Sequence, residues 1–316
     1  MEERMIEMCG LPVEQLPDEV FEKLPDSEKN SEFVAMESRT YWKDVWLNFR
    51  KNKLAMAGLI FLIVMILFAI FGPMFSKYTY DGQDFTCINQ NPSLQHWFGT
   101  DKFGRDLFVR IMCGARISLA VGFAAAFLNL IIGVVYGGIC GFVGGRVDMV
   151  MMRVVDIIYS VPTLLYVILI MLIFGSNMFS MLVAIAVSSW LGMARQVRAQ
   201  IMSLKEQEYA LAAKVMGASG RRILFKHLVT NSIGPIIVTT TLNIPSAIFT
   251  ESFLSFVGIG ISIPQASWGT LANDARRLIQ SYPLQMLWPV GAICLTMLSL
   301  NFIGDGLNDA LDPKKR

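Results

Sequence analysis

Six apolar runs, each near the length that crosses a bilayer, constrain this chain more than any other feature. Leu54 to Phe75 carries no charged side chain, and Ile117 to Phe142 is rich in Gly and Ala. The others are Met149 to Phe174, Met178 to about Ile201, Ile233 to about Gly258, and Met286 to Ile303. About 20 apolar residues span the hydrocarbon layer as a helix. Lipid offers no hydrogen bonds, so a spanning segment must pair its own backbone as a helix or close into a barrel. Barrel strands would show alternating polarity in segments of about ten residues, a pattern this chain lacks. Composition agrees: 54% of the 316 residues are hydrophobic and 16% charged, where soluble domains carry about 25% charged. The fold class expected is an all-α integral membrane protein with six transmembrane helices.

Lys and Arg beside the spans set the orientation. Arg39, Lys43, Arg50, Lys51 and Lys53 precede the first span. Lys205, Lys214, Arg221, Arg222 and Lys226 lie between the fourth and fifth, and the chain ends Lys314-Lys315-Arg316. The loop from span three to four has no Lys or Arg, and that from five to six only Arg276 and Arg277. Both termini and the fourth-to-fifth loop are expected in the cytoplasm. Lys77, Lys102, Arg105 and Arg110 on the long outer loop weaken the rule locally.

The expected organisation is a tail of residues 1–38, a basic segment and first span over 39–75, and an extracytoplasmic loop over 76–116. A five-helix core covers 117–304, including the cytoplasmic loop 203–232, and a cytoplasmic tail covers 305–316. Residues 1–38 are acidic, unlike the basic start of a secretory signal. Pro12, Pro17 and Pro25 interrupt any long helix there, so this stretch reads as a solvated tail, with a regulatory or docking role as the sharper alternative.

The chemical inventory is thin. Cys87 and Cys113 sit on or near the outer loop and could pair, but Cys9, Cys140 and Cys294 are scattered and no CxxC occurs. With only His96 and His227, a metal centre is not expected. GxxxxGK[ST], GxSxG and HExxH are absent, so no catalytic residue is assigned and no nucleotide is expected on this chain.

Charges inside spans matter more. Arg153 and Asp156, three apart, are placed to pair on one helix face. Arg195 and Arg198 lie near enough to a span end to snorkel. Glu251 is the deepest acid, about 10 Å of helix rise from the outer end of span five, and is read as a structural or pathway residue rather than a proton relay. Pro162, Pro235, Pro245 and Pro289 permit kinks. Gly133, Gly137, Gly138 and Gly141 give span two a small-residue face for close helix contact.

The segment from Glu208 to Pro235, EYALAAKVMGASGRRILFKHLVTNSIGP, carries the functional reading. Glu208 to Met216 are good helix formers, and Gly217 is a natural stop. After Arg221 and Arg222, Ile223, Leu224, Leu228 and Val229 make a second amphipathic piece with Lys226 and His227. A short helix ending in glycine can press into a groove on a soluble partner; an interfacial helix on lipid headgroups suits the basic residues equally.

Resemblance separates the two. This segment resembles the EAA loop of ABC importer permeases, with Ala212, Ala213 and Gly217 in place. From about Tyr41 onward the chain is similar to the second ("C" type) permease subunit of the dipeptide, oligopeptide and nickel importers. The similarity runs through Phe49-Arg50-Lys51-Asn52-Lys53-Leu54-Ala55-Met56, the outer-loop run His96 to Asp106, and Gly114 to Leu119. It continues through Glu251 with Leu254 to Gly260, Ser267-Trp268-Gly269, and Gly304 to Pro313. Leu211 stands where the motif glutamate belongs, and Val229 and Thr230 replace its Leu-Pro, which predicts altered contacts to the ATPase and a straighter second helix.

The resemblance implies the type I importer permease fold with a coupling helix. This chain would form half of a pore with a homologous permease, two ATPase subunits beneath and a solute-binding protein outside, in a prokaryotic cytoplasmic membrane. ATP and Mg would sit on the ATPases, and no cofactor on this chain. Coupling falls to Glu208, Tyr209, Ala212, Ala213, Gly217, Ala218, Arg221 and Arg222. In the outer loop, Gly99, Thr100, Asp101, Gly104, Arg105 and Asp106 would fold the loop, with contact to the binding protein or the partner permease as the alternative. Di- and oligopeptides are the default solute, with related small solutes such as nickel chelates as the alternative. An ion-driven secondary transporter and a non-transporting scaffold are the alternatives; the first would favour internal repeats, which are not evident, and only Leu211 hints at the second.

Overall fold

The computed structural model describes residues 40–261 and 265–312. The acidic tail with Cys9, and Lys314, Lys315 and Arg316, lie outside the described residues. Helix α1, Tyr41–Lys51, turns its Val45 and Phe49 inward. Asn52 then starts α2, Lys53–Phe71: its side-chain oxygen accepts from the N–H groups of Leu54 and Ala55, both at 3.1 Å. These are two of the donors that a helix start leaves without partners. A 3₁₀ turn, Gly72–Met74, closes that span. Arg116 donates to the carbonyls of Ala69 and Ile70, the latter at 2.8 Å, satisfying acceptors at the opposite end of α2.

Helix α3, Leu107–Val143, is 37 residues long. It begins well before Ile117, so residues 107–116, expected in a loop, are its opening turns. Asp106 causes the early start by accepting from Val109 N at 2.9 Å as N-cap. The third span also departs from expectation. It is two helices, α4 (Gly145–Ser160) and α5 (Thr163–Phe174), bent by 82°. Pro162 lacks an N–H and forces Val161 into an extended conformation, φ −85° and ψ 125°. Pro245 and Pro289, by contrast, sit inside helices that continue past them.

The remaining spans are α6 (Met178–Leu204), α8 (Ile233–Val257) and α10 (Pro283–Leu311), with the short α7 (Glu208–Val215) and α9 (Trp268–Arg276) between them. Helix α10 runs through most of the stretch expected as a C-terminal tail. Among the described residues, five helices are long and apolar enough to cross a membrane, and the bent pair makes six if counted as one broken span. That is the all-α architecture expected.

Close approach holds the bundle together. Gly133, Gly137 and Gly141 face α6 so tightly that an added Cβ would lie 2.4 Å from Met193, 2.3 Å from the Ala194 carbonyl and 2.7 Å from that of Arg198. Gly138 turns instead toward Leu224, where a Cβ would meet only ordinary contact at 3.6 Å. On the other side α10 meets α1 and α2, with Gly306 against Phe49 of α1 and Ala55 of α2, and Gly58 of α2 against the Ser299 carbonyl. Two ion pairs then fix α4 against α6. Asp156 pairs with Arg195 at 2.8 Å, across helices, and not with Arg153 as the spacing suggested. Arg198 grips both oxygens of Asp148, with Nη2 at 2.6 Å. An interhelical partner ties two elements at once, which a neighbour on the same helix face does not. Cys87, Cys113, Cys140 and Cys294 are all free thiols.

Candidate functional site

The fourth-to-fifth loop folds around a full glycine stop. Helix α7 ends with Gly217 at φ +81°, Ala218 N donating to Ala213 O at 3.0 Å and Gly217 N to Lys214 O at 3.0 Å. That pair of bonds is the Schellman arrangement, which needs a left-handed residue at the position Gly217 holds. Ala210, unremarked in the sequence reading, anchors the helix: it is buried with Met193, Val197, Ile201, Ile223, Leu224, Leu228 and Ile236. In the sequence only its i, i+3 spacing from Ala213 points to it.

The opposite side of the loop is bare. Val215 is 88% exposed and Met216 86%, with Leu211, Glu208, Ala212, Lys214, Arg221 and Arg222 also exposed. Tyr209 shares that face, and Ala218 is half-buried where the chain turns. Apolar side chains held out on a fixed helix need a cover.

The second piece, residues 220–231, is helical, but not as one α-helix. Its middle, Ile223–Leu228, is π-helical. Thr230, in the motif's proline position, donates its hydroxyl to Phe225 O at 3.3 Å, a bond proline has no group to make. Ile223, Leu224 and Leu228 point inward beside Ala210. Lys205 Nζ donates to Gly141 O at 3.0 Å, and Gly220 lies against Phe142, so the loop is tied to the end of α3 as well.

At the other end of the bundle, Glu251 joins three sequence motifs. Its side chain is fully buried, and its oxygens accept from Ser118 at 2.9 Å, Ser255 at 2.8 Å and Ser252 at 3.2 Å. Ser118 accepts from Trp268 N at 3.2 Å, and the Trp268 indole N–H donates to Ile111 O at 3.0 Å. Ser267 caps α9 and lies 3.3 Å from Ser255 Oγ. Helices α3, α8 and α9 are thus pinned to one carboxyl group. Of its donors only Ser255, four residues on, shares the helix face of Glu251 by spacing in the sequence.

The loop residues that precede α3 are drawn together next to this joint. Asp101 Oδ1 accepts from Phe103 N at 2.9 Å and Arg105 N at 3.0 Å, and its Oδ2 from Arg105 Nε at 2.7 Å. Thr100 accepts from Gln90 N at 2.8 Å and donates to the Cys87 carbonyl. Gly99 and Gly104 have φ of +79° and +70°, and Asp106 holds His96 Nδ1 at 2.8 Å. Lys102 reaches Asp274 on α9 at 3.1 Å. Of the basic residues that weakened the orientation rule, Lys102 and Arg105 sit beside carboxylates. Within the loop, Asp84 accepts from Thr86 N and Oγ1, which holds its carboxyl below the usual range.

Comparison with known proteins matches this organisation. Residues 133–316 match the family model of the binding-protein-dependent transport system inner membrane component. Residues 40–92 match the N-terminal TM domain of oligopeptide transport permease C. The oligopeptide transport system permease protein OppC of Bacillus subtilis (strain 168) is 49% identical over 304 residues, covering 96% of this chain and 100% of that protein. The dipeptide transport system permease protein DppC of the same organism is 47% identical over 303 residues, covering 96% and 95%. OppC of Escherichia coli (strain K12) is 45% identical over 291 residues, covering 92% and 96%. A chain of the MetNI methionine ABC transporter, solved in inward-facing conformations, superposes with a TM-score of 0.51 at 19% identity, covering 65% of this chain and 96% of that one, a likeness of fold. This chain belongs to the inner-membrane components of binding-protein-dependent transport systems, as a C-type permease subunit of the oligopeptide and dipeptide branch.

Proposed function

We propose that this permease forms half of a pore that imports short peptides, driven by ATP on partner subunits. The observation that carries the reading is α7: a helix anchored from behind by Ala210, ended by Gly217, and presenting Leu211, Val215 and Met216 to a surface outside the chain. An ATPase groove covering those side chains would move α7. Ala210 would pass that movement to α6 and α8 through the buried cluster it shares with the π-helical segment and those two helices. Glu208, Tyr209, Ala212, Ala213, Ala218, Arg221 and Arg222 surround the contact and would orient it.

The remaining parts follow from the same arrangement. A homologous permease completes the pore, two ATPases bind beneath α7, and a solute-binding protein docks over the loop containing Gly99 to Asp106. ATP and Mg belong to the ATPases, and this chain binds no cofactor. The chain lies in the cytoplasmic membrane with both termini inside. ATP binding shifts the pore between two states, and only differential affinity for those states can drive the shift. Peptide is the solute because the relatives of highest identity given above are named for it.

The deciding experiment isolates the gently solubilised native complex through this chain, identifies its members by mass spectrometry, and assays reconstituted vesicles. A second permease, ATPases and a binding protein, with ATP-dependent uptake of a radiolabelled tripeptide, is the expected result. Isolation of the chain alone, or uptake that follows an ion gradient without ATP, would sink the reading.

A further inference from the structure

Beside the Glu251 joint lies a cavity of about 460 Å³, within the usual range for small-ligand sites. Arg110, Ser255, Gln265, Thr270, Asn273 and Asp274 are among its lining residues. Arg110 is the anomaly. Its residue is 3% exposed, yet its Nε and Nη1 have no hydrogen-bond partner. The nearest acid, Asp101, stands 3.7 Å away, too far for a hydrogen bond, and its oxygens already take the N–H groups of Phe103 and Arg105. Beneath the guanidinium lies the Tyr80 ring, 5.2 Å from its centre. A buried cation with unused donors is costly unless something pairs with it.

We propose that this cavity is a station for the transported solute, in which Arg110 takes the free C-terminal carboxylate of a short peptide. The inference rests on the import reading above and names the chemical feature of the solute that the permease itself recognises. Guanidinium offers a planar fork of donors that matches a carboxylate. The neighbouring cations do not compete for it: Arg105 is held by Asp101 and Lys102 by Asp274. Asp274, also on the cavity wall, opposes a doubly charged anion such as phosphate and leaves a monoanion favoured. Asn273 and Gln265 supply amides for a peptide backbone. Ser255 lines the cavity and donates to Glu251, so an occupant against Ser255 touches one donor to the carboxyl group that pins α3, α8 and α9 together.

The test uses the assembled permease–ATPase complex without binding protein. Two probes, N-acetyl-Ala-Ala and its C-terminal amide, differ only in the carboxylate, and each is titrated against the melting temperature to give an apparent Kd. A charged hydrogen-bonded pair should favour the acid by about tenfold or more, and Arg110→Gln should bring that ratio to about one. Asn273→Phe fills the cavity while leaving Arg110 intact, and should abolish binding of both probes, which covers the case in which the arginine variant fails to assemble. Equal binding of acid and amide by the unmodified complex, or an acid preference that survives either substitution, overturns the proposal. Loss of binding-protein docking in Arg110→Gln with the acid preference unchanged also overturns it and assigns the guanidinium to the protein partner. ATP-dependent tripeptide uptake by the unmodified complex is measured alongside. An acid-selective complex that imports no peptide would refute the import reading, whereas an importing complex blind to the carboxylate would refute only the station.

Discussion

Gly137 lies directly against Ala194: a Cβ at the glycine would stand 2.3 Å from the Ala194 carbonyl oxygen. The obstacle is helix backbone, which has little room to yield. Gly137→Ala should therefore destabilise the bundle by about 1–3 kcal/mol, the usual range for overpacking. Gly138→Ala, one residue on, should be nearly silent because its Cβ meets only a Leu224 methyl at 3.6 Å. Melting temperatures of the two purified variants check the contrast, and equal losses would refute this account of the α3–α6 contact.

Arg198 and Asp148 should behave as a coupled pair. Arg198→Met leaves a largely buried carboxylate with Cys140 Sγ, 2.8 Å away, as its remaining side-chain donor. The loss should be about 1–3 kcal/mol, and the double variant with Asp148→Asn should recover part of it. A thermal double-mutant cycle reads the coupling; strict additivity would mean the pair contributes nothing.

Glu251 should matter through its acceptors. Glu251→Ala strands the hydroxyls of Ser118, Ser252 and Ser255 in a buried site. A cost of about 1–3 kcal/mol per unsatisfied group applies. Glu251→Gln keeps one oxygen and should lose less. Limited proteolysis at the α8–α9 connection measures the joint directly, and protection unchanged in the alanine variant would show that the three helices are held by other contacts.

Asp101→Asn should loosen the loop that precedes α3 without unfolding the spans. The amide keeps the shape but loses the charge that faces Arg105 at 2.7 Å and Arg110 at 3.7 Å, both buried. Faster hydrogen exchange over residues 87–106, with the helices unchanged, is the expected signature. Exchange rates equal to those of the parent would remove this carboxylate from the loop's folding.

Spans, glycine face and glycine stop were legible in the sequence because each rests on local spacing. Run length gave α2, α6, α8 and α10, and Gly217 marked the end of α7 from composition alone. What spacing along one helix does not reveal is the partner on another. Asp156 was within reach of Arg153 by periodicity, yet the bundle offers Arg195. The serines around Glu251 arrive from three separate segments, and Arg110 reads as one more loop cation until burial shows it without a hydrogen bond. The 82° bend at Val161–Pro162 was a possible kink in sequence, but its size depends on where α5 finds packing.

Gly217 gives the sharpest test of coupling because space and conformation separate there. A Cβ on Gly217 would meet nothing within 4 Å, so bulk alone offends no neighbour. Its φ of +81° is what a branched side chain resists, at about 1–2 kcal/mol. Gly217→Val should therefore shift α7 by rearranging its stop, leaving insertion and span packing intact. Gly217→Asn, which tolerates the left-handed region, should keep the stop and most of the activity. With ATPase turnover and tripeptide uptake measured on the same vesicles, valine should cut uptake far more than turnover, and asparagine should depress neither severely. If valine reduced both in step with the amount of assembled complex, Gly217 would be a folding residue only. If valine transported normally, the apolar tip at Val215 and Met216 would not be where the ATPase acts on this chain.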